Sequence, residues 1–210
     1  MKSERDSWVG IDELAAARPW SREQELALQG RCRGALLRDW AAHVARRAGP
    51  EAVGRLRAEV GLDPALLPDA PKPEAWYPVA YQVGLTRAIV DVALGGDVLA
   101  LEPLLAEDTA RGVRDRLLVM AMRALGPKRL LKRTDKAHDY FYDVGRASAE
   151  ASDGHALMRF EGAAFFGNPT WRMLQVFAVR GMLKGFDRTI QSLRVDVAGH
   201  DRFALDVSWR

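Results

Sequence analysis

The C-terminal end of the chain alternates between large apolar residues and small or polar ones, and this pattern sets the firmest limit on the fold. The alternation runs from Leu193 to Val197 and resumes from Phe203 to Trp209, with Gly199 between the two segments. A period of two places successive side chains on opposite faces of a strand. The pattern therefore predicts a β-hairpin with one apolar and one polar face.

A second hairpin is predicted further upstream in the sequence. Asp153-Gly154 is a strong tight-turn signal and separates the segments 142–151 and 155–161. Asn168-Pro169 then combines a capping residue with a proline at the first helical position, which predicts a helix to about Gly185. The order strand, strand, helix, strand, strand predicts a four-stranded antiparallel sheet with helices on one face.

The first 140 residues are predicted to be mostly helical, which makes the fold class α+β. Residues 1–20 are expected to form an N-terminal arm, and residues 21–210 a single domain with a helical part at 34–140 and a sheet part at 141–210. Residues 21–33 leave two interpretations open. Ser21 followed by Gln24 is a capping-box pattern, which favours a helix. The alternation from Leu26 to Cys32 favours a short strand.

Composition excludes several classes of protein. The chain has 210 residues and a formal net charge of +3, which is ordinary for a globular protein. Its one cysteine, Cys32, excludes an internal disulfide and a cysteine-rich zinc site, and is compatible with a reducing compartment. No apolar run approaches the roughly 18 residues of a membrane span. We therefore expect a cytoplasmic protein without a membrane span.

Three segments together resemble known families: Tyr140–Gly145 after a helical first part, Gly181–Gly185 within a helix, and Val207–Trp209 at the end of the closing hairpin. The layout resembles an uncharacterised family of paralogues in myxobacteria. More distantly, it resembles the ligand-binding fold shared by vinyl-4-reductase-like domains, haem–nitric-oxide-binding domains and vesicle-tethering subunits of Golgi transport. The resemblance covers about residues 25–210 and implies the same α+β fold.

The chain departs from these families at their metal sites. Vinyl-4-reductase-like domains carry cysteines around the last hairpin, whereas Val197–Phe203 contains none. Haem-binding relatives use a histidine on a helix of the helical part, and His138 is the histidine nearest to that role. We predict no cofactor and no metal, with haem kept as the alternative that the resemblance implies.

Asp135, His138 and Asp139 form the most promising polar cluster. Residues three and four apart share a helix face, so a carboxylate could orient the imidazole or join it in binding a metal. The alternative is a solvated helix end, because charged residues are mostly exposed.

A basic surface is the second candidate. Residues 111–140 hold nine basic and three acidic side chains. The candidate surface consists of Arg123, Lys128, Arg129, Lys132 and Arg133. A face of one sign attracts acidic partners, although such a run is also typical of a solvated helix face. We do not expect nucleic acid as the partner, because no DNA-binding or RNA-recognition motif surrounds the run.

The third candidate is a ligand pocket between helices and sheet. Its predicted lining is aromatic, with one methionine: Trp76, Tyr81, Met120, Tyr140, Phe165, Phe166 and Trp171. Such residues can line a cavity, and they also fill ordinary cores.

No nucleophile elbow, phosphate-binding loop or His-Glu-x-x-His motif occurs in the sequence, and we predict a protein that is not an enzyme. The predicted function is a regulatory module that binds a small apolar ligand or a protein partner. The alternative is a structural adaptor that forms a homodimer, as the vesicle-tethering relatives imply.

Overall fold

A five-stranded mixed sheet forms one layer of the fold. The computed structural model describes residues 8–37, 40–60, 71–103, 105, 126–196 and 199–210, without the side chains of residues 42, 43, 47 and 60. The strands are β1 (Trp8–Val9), β4 (Arg146–Ser152), β5 (His155–Glu161), β6 (Ile190–Asp196) and β7 (Arg202–Trp209). Their order is β1-β6-β7-β5-β4, and every pairing except β1 with β6 is antiparallel.

The sheet confirms both predicted hairpins and corrects the predicted strand number. Gly154, in the turn between β4 and β5, has a left-handed φ of 82°, which glycine adopts without steric cost. The prediction of four antiparallel strands is wrong, because β1 adds a fifth strand parallel to β6. A strand of two residues is too short for a periodic pattern, so the sequence gives no signal for it.

A separate two-stranded sheet lies in the helical part. It pairs β2 (Arg31–Arg33) with β3 (Trp76–Pro78), and Cys32 also bridges to Tyr142. Both interpretations of residues 21–33 are therefore correct for different segments. Ser21 caps a short helix with a complete capping box, and the strand follows at Arg31.

Helices form the other layer. They are α1 (Ile11–Ala16), α2 (Arg22–Leu26), α3 (Trp40–Ala48), α4 (Pro50–Val60), α5 (Val79–Ala88), α6 (Thr134–Phe141) and α7 (Pro169–Gly185). A π-helical turn (Ile89–Ala93) extends α5, residues 126–131 are helical, and 3₁₀ turns occupy Gly34–Leu36, Val98–Ala100 and Ala164–Gly167. Residues 106–125 of the predicted helical part lie outside the described residues.

Helix α7 is the central helix of the sheet part. Its predicted start is confirmed, because the Asn168 side chain accepts a hydrogen bond of 2.9 Å from the backbone N–H of Trp171. Most of its side chains are buried, as expected for a helix enclosed on several sides. The buried Arg172 guanidinium donates to the backbone carbonyls of Phe166, Gly199 and Arg202. This side chain therefore ties the loop before α7 to the turn before β7.

The N-terminal segment packs onto α7. Arg180 lies 5.4 Å from the centre of the Trp8 ring and forms an ion pair with the buried Glu102. Ile11 and Leu14 of α1 are buried in the core. Trp8, Ile11 and Leu14 fall within residues 1–20, the range predicted as an arm. The division of the chain into arm and domain stays a prediction.

A buried ion pair fixes α2 against α5. Arg87 donates to Glu25 at 2.9 Å and to Asp91 at 2.9 Å, and the Glu25 side chain is only 2% exposed. Burial raises the pKa of Glu25, although hydrogen bonding to Arg87 opposes that change. The pair holds α2 in place, and the residues that follow α2 reach the edge of the site described next.

Candidate functional site

A buried cluster joins the helical part to the sheet part. We call it the junction cluster, and it consists of Gln82 on α5, His138 and Tyr142 at the end of α6, Phe166 in the 3₁₀ turn, and Trp171 on α7. Helical spacing explains how α6 contributes two members. Thr134, His138 and Tyr142 follow one another at intervals of four, so all three face inward.

The Tyr142 hydroxyl connects the two parts by hydrogen bonds. It donates to Gln82 Oε1 at 3.0 Å and accepts from Trp171 Nε1 at 3.1 Å. Burial raises the pKa of Tyr142 well above its ordinary value, so the phenol stays protonated. One hydroxyl thus satisfies polar groups from α5 and α7 that burial would otherwise leave unpaired.

His138 lies beside Tyr142 and is 5% exposed. Its Nε2 is 2.9 Å from the carbonyl oxygen of Val144, and because a carbonyl only accepts, Nε2 carries the proton. The imidazole stacks on Tyr142 at 5.1 Å between ring centres and packs against Phe166 at 5.5 Å. Burial lowers the pKa of His138, although the hydrogen bond to Val144 acts in the opposite direction. The ring is therefore neutral at physiological pH.

Further aromatic rings surround Trp171. The centres of Phe165, Phe160 and Phe203 lie 5.2, 5.4 and 6.1 Å from that of Trp171, with nearly perpendicular ring planes. Edge-to-face pairs at these distances are favourable beyond the area they bury. The space around the Trp171 indole is thus filled by side chains of the sheet and the 3₁₀ turn.

The structure divides the predicted pocket residues between the core and the surface. Phe165, Phe166 and Trp171 pack against one another in the core, and Tyr81 is buried as well. Trp76 and Tyr140 lie instead in a surface cluster, where the Arg33 guanidinium is 4.1 Å and 5.6 Å from their ring centres. Met120 lies outside the described residues.

The predicted polar cluster is also divided. His138 points into the core, whereas Asp135 and Asp139 are exposed. Of the three residues, only His138 lies on the inward face of the helix. Its Nε2 bonds the backbone carbonyl of Val144 and neither carboxylate. Within the described residues, no group of three or more potential ligands could hold a metal ion.

The described part of the predicted basic surface lies on the helical residues 126–131 and in the turn that leads from them into α6. Arg129, Lys132 and Arg133 are exposed, and Lys128 forms an ion pair of 2.9 Å with Asp153. Arg123 lies outside the described residues. The role of this surface stays a prediction.

Gln82, Tyr142 and Val144 were missed by sequence reasoning. A signal for Tyr142 was present, because it lies four residues after His138 and so continues the same helix face. Tyr140, which was chosen instead, lies two residues after His138 and so faces solvent. Gln82 and Val144 come from segments that no local pattern connects to His138.

An open cavity borders the junction cluster at Val144. Its volume is about 470 Å³. It lies between α2 with the residues around it and the turn that follows β5. The lining residues are Trp20, Gln24, Ala27, Leu28, Gln29, Val144, Gly162, Ala163 and Ala164. Of the residues predicted for a pocket, those that the structure describes all lie elsewhere.

Solved structures of H-NOX proteins share this fold. The Fe(II) unliganded H-NOX protein of K. algicida matches 85% of this chain and 96% of its own, with a TM-score of 0.62 and 10% identity. A mutant of T. tengcongensis H-NOX matches 81% of this chain and 93% of its own, with a TM-score of 0.53 and 12% identity. A structure from work on haem distortion in the H-NOX family matches 85% of this chain and 95% of its own, with a TM-score of 0.56 and 12% identity.

The comparison confirms the predicted resemblance to haem–nitric-oxide-binding domains at the level of the fold. No model of a protein family matches the chain, and no curated protein matches it either. Membership of the myxobacterial family stays a prediction. Within the described residues, no helix is long and apolar enough to cross a membrane.

The prediction of no cofactor is overturned by the same comparison. It rested on the missing cysteines and on the weak case for His138. The structural neighbours are H-NOX proteins, and one of them was solved to study haem distortion. Haem is therefore the cofactor that the likeness to these neighbours suggests for the fold.

Removing the Tyr142 hydroxyl should destabilise the protein. Tyr142→Phe leaves Gln82 Oε1 and Trp171 Nε1 buried without their shared partner, and a buried unpaired group costs about 1–3 kcal/mol. We expect a loss of that size in the free energy of unfolding, measured by urea denaturation. The matched control is Tyr140→Phe, because the Tyr140 hydroxyl bonds Glu74 at the surface and its loss should cost less than about 0.5 kcal/mol. Equal losses in the two variants would contradict the role given to Tyr142.

Stability should fall at acid pH because of His138. The pKa of His138 is lowered in the folded protein. Its contribution to the free energy of unfolding is therefore complete above the pKa of the unfolded chain, about 6.5, and is lost as the pH falls below that value. The slope can reach about 1.4 kcal/mol per pH unit. Urea denaturation between pH 7.5 and 5.5 should show a steeper loss for the wild type than for His138→Gln.

The comparison between the two proteins isolates His138. The raised pKa of Glu25 gives a contribution of opposite sign to the pH dependence of stability, but it is present in both proteins and cancels. Parallel curves for wild type and His138→Gln would show that His138 is not held neutral.

Proposed function

We propose that this chain is a regulatory domain that binds a small ligand beside the junction cluster and changes the packing of helices on sheet in response. The observation that carries the proposal is the position of Tyr142. Its hydroxyl bonds the helical part through Gln82 and the sheet part through Trp171, and its ring stacks on His138. A ligand that moves His138 would therefore act on the contact that joins the two parts.

The surroundings of His138 favour a regulatory role over a catalytic one. Its Nε2–H is committed to Val144, and Asp135 and Asp139 lie at the surface. A general base needs an acceptor nitrogen within reach of a substrate proton. Here the ring is enclosed by Tyr142 and Phe166. The alternative function, an adaptor that dimerises through the helical part, stays a prediction.

Haem is the first ligand to test, because haem is named for the structural neighbours. An imidazole that ligates iron must present a nitrogen lone pair, and such a ligand usually donates its other N–H to a carbonyl or carboxylate. His138 donates its Nε2–H to Val144, which leaves the lone pair on Nδ1, but the Tyr142 and Phe166 rings pack against the imidazole and leave it buried. The described side chains in this arrangement do not fit a haem. The His43 side chain lies outside the described residues.

Native mass spectrometry of the purified protein, compared with its denatured mass, tests the proposed function. We expect an additional non-covalent mass per subunit, or its appearance after the protein is supplied with haem or a neutral apolar probe. Haem would be identified by its absorbance, and its loss in His138→Ala but not in His155→Ala would place it at the junction cluster. A clean apo mass, with no saturable uptake of either compound, would contradict the proposal. The same spectra distinguish monomer from dimer and so test the adaptor alternative.

A further inference from the structure

The cavity beside Val144 is built by two conformational features. Gly30 has a left-handed φ of 98°, and a Cβ atom there would overlap the Val144 side chain, so only glycine lets the segment after α2 come this close. Gly162, with φ of 81°, turns the chain at the end of β5, and its N–H donates to the backbone carbonyl of Asp201 at 3.0 Å. The walls are thus fixed by backbone geometry and do not depend on a bound molecule.

The lining determines the class of ligand. Trp20, Leu28, Val144 and the alanines present apolar surface, and the described lining contains no charged side chain. Of the two glutamines, Gln24 accepts from the Ser21 N–H at 2.9 Å, and Gln29 donates to the Ala27 carbonyl at 3.1 Å. Each amide therefore makes one local hydrogen bond, and neither glutamine carries a net charge. An ion that entered the cavity would lose hydration and would meet no opposite charge among the described lining side chains.

The size of the cavity fits a small molecule. Ligand pockets in proteins span roughly 300–1,000 Å³ and are mostly apolar with few polar groups. The value here, about 470 Å³, lies within that range. Among the described lining residues there is no histidine, cysteine, methionine or tyrosine, so these residues offer no side chain of the kinds that ligate haem iron.

We propose that this cavity is a binding site for a small, uncharged, apolar molecule. The inference rests on the proposed function and gives that function a second place for a ligand, separate from His138. Val144 links the two places, because this residue lines the cavity and its carbonyl accepts the hydrogen bond of His138. A ligand that fills the cavity contacts the residue that positions the imidazole.

The test uses the full chain and two fluorescent probes, neutral N-phenyl-1-naphthylamine and anionic 8-anilinonaphthalene-1-sulfonate. We expect saturable one-to-one binding of the neutral probe and much weaker binding of the anionic one. Ala163→Leu places extra bulk at a buried position of the lining and should weaken binding of the neutral probe about tenfold or more. Ala204→Leu, on the outer face of the sheet, is the matched control and should bind like the wild type.

A second variant keeps the inference testable if Ala163→Leu does not fold. Trp20→Ala removes a half-buried wall of the cavity and should also weaken binding. Absence of saturable binding, unchanged affinity in Trp20→Ala and in any folded Ala163→Leu, or equal binding of the anionic probe would overturn the inference.

The proposed function and the cavity inference can be tested separately, because each can fail while the other stands. If haem binds at His138 while the neutral probe does not bind, the function stands and the cavity inference falls. If the neutral probe binds in the cavity without any change at Tyr142 or Trp171, the binding site stands and the regulatory function falls.

Discussion

The hydrogen bonds of one buried hydroxyl fix the position of the helical part relative to the sheet part. Tyr142 lies between α5 and α7, where a polar contact crosses from one part to the other. Its ring is held by His138 on one side and by Phe165 and Trp171 on others. Because a buried polar group without a partner costs more than a satisfied one gains, this geometry is sharply defined. Arg172, with three carbonyl acceptors, fixes the loops on the far side of Trp171 in a similar way.

The same contacts supply a physical route from a ligand to the fold. Val144 lines the cavity, its carbonyl holds His138, and His138 stacks on the tyrosine that joins the two parts. Packed side chains and hydrogen bonds of this kind can carry coupling between sites, provided that the element they connect has two arrangements. The proposed coupling therefore requires two arrangements of α5 against α7, which differ in their contacts at Tyr142. The Glu25–Arg87 ion pair matters here because it anchors α2, one wall of the cavity, to the same helix α5.

The sequence predicted the parts of the fold that local chemistry controls. Alternation located β6 and β7, Asp153-Gly154 located the turn between β4 and β5, and Asn168 located the start of α7. It could not predict β1, because the pairing of Trp8 with Leu193 joins residues far apart in the chain over only two positions. The candidate site was harder to predict because its residues, too, come from distant parts of the chain. His138 was found, but it was grouped with Asp135 and Asp139, since sequence spacing shows which residues share a face and not which face is buried. Gln82 and Val144 reach His138 and Tyr142 only through tertiary packing.

Coupling between the cavity and the junction cluster can be observed at the indole N–H signal of Trp171, in ¹H–¹⁵N spectra of the protein saturated with the neutral apolar probe. The chain has six tryptophans, and Trp20, Trp76 and Trp171 report on the cavity, the surface and the core respectively. Because Trp171 Nε1 donates to Tyr142, its signal should shift together with that of Trp20, while the signal of Trp76 stays in place. A shift at Trp20 without one at Trp171 would show that the ligand does not reach the contact between helices and sheet, and would contradict the proposed coupling.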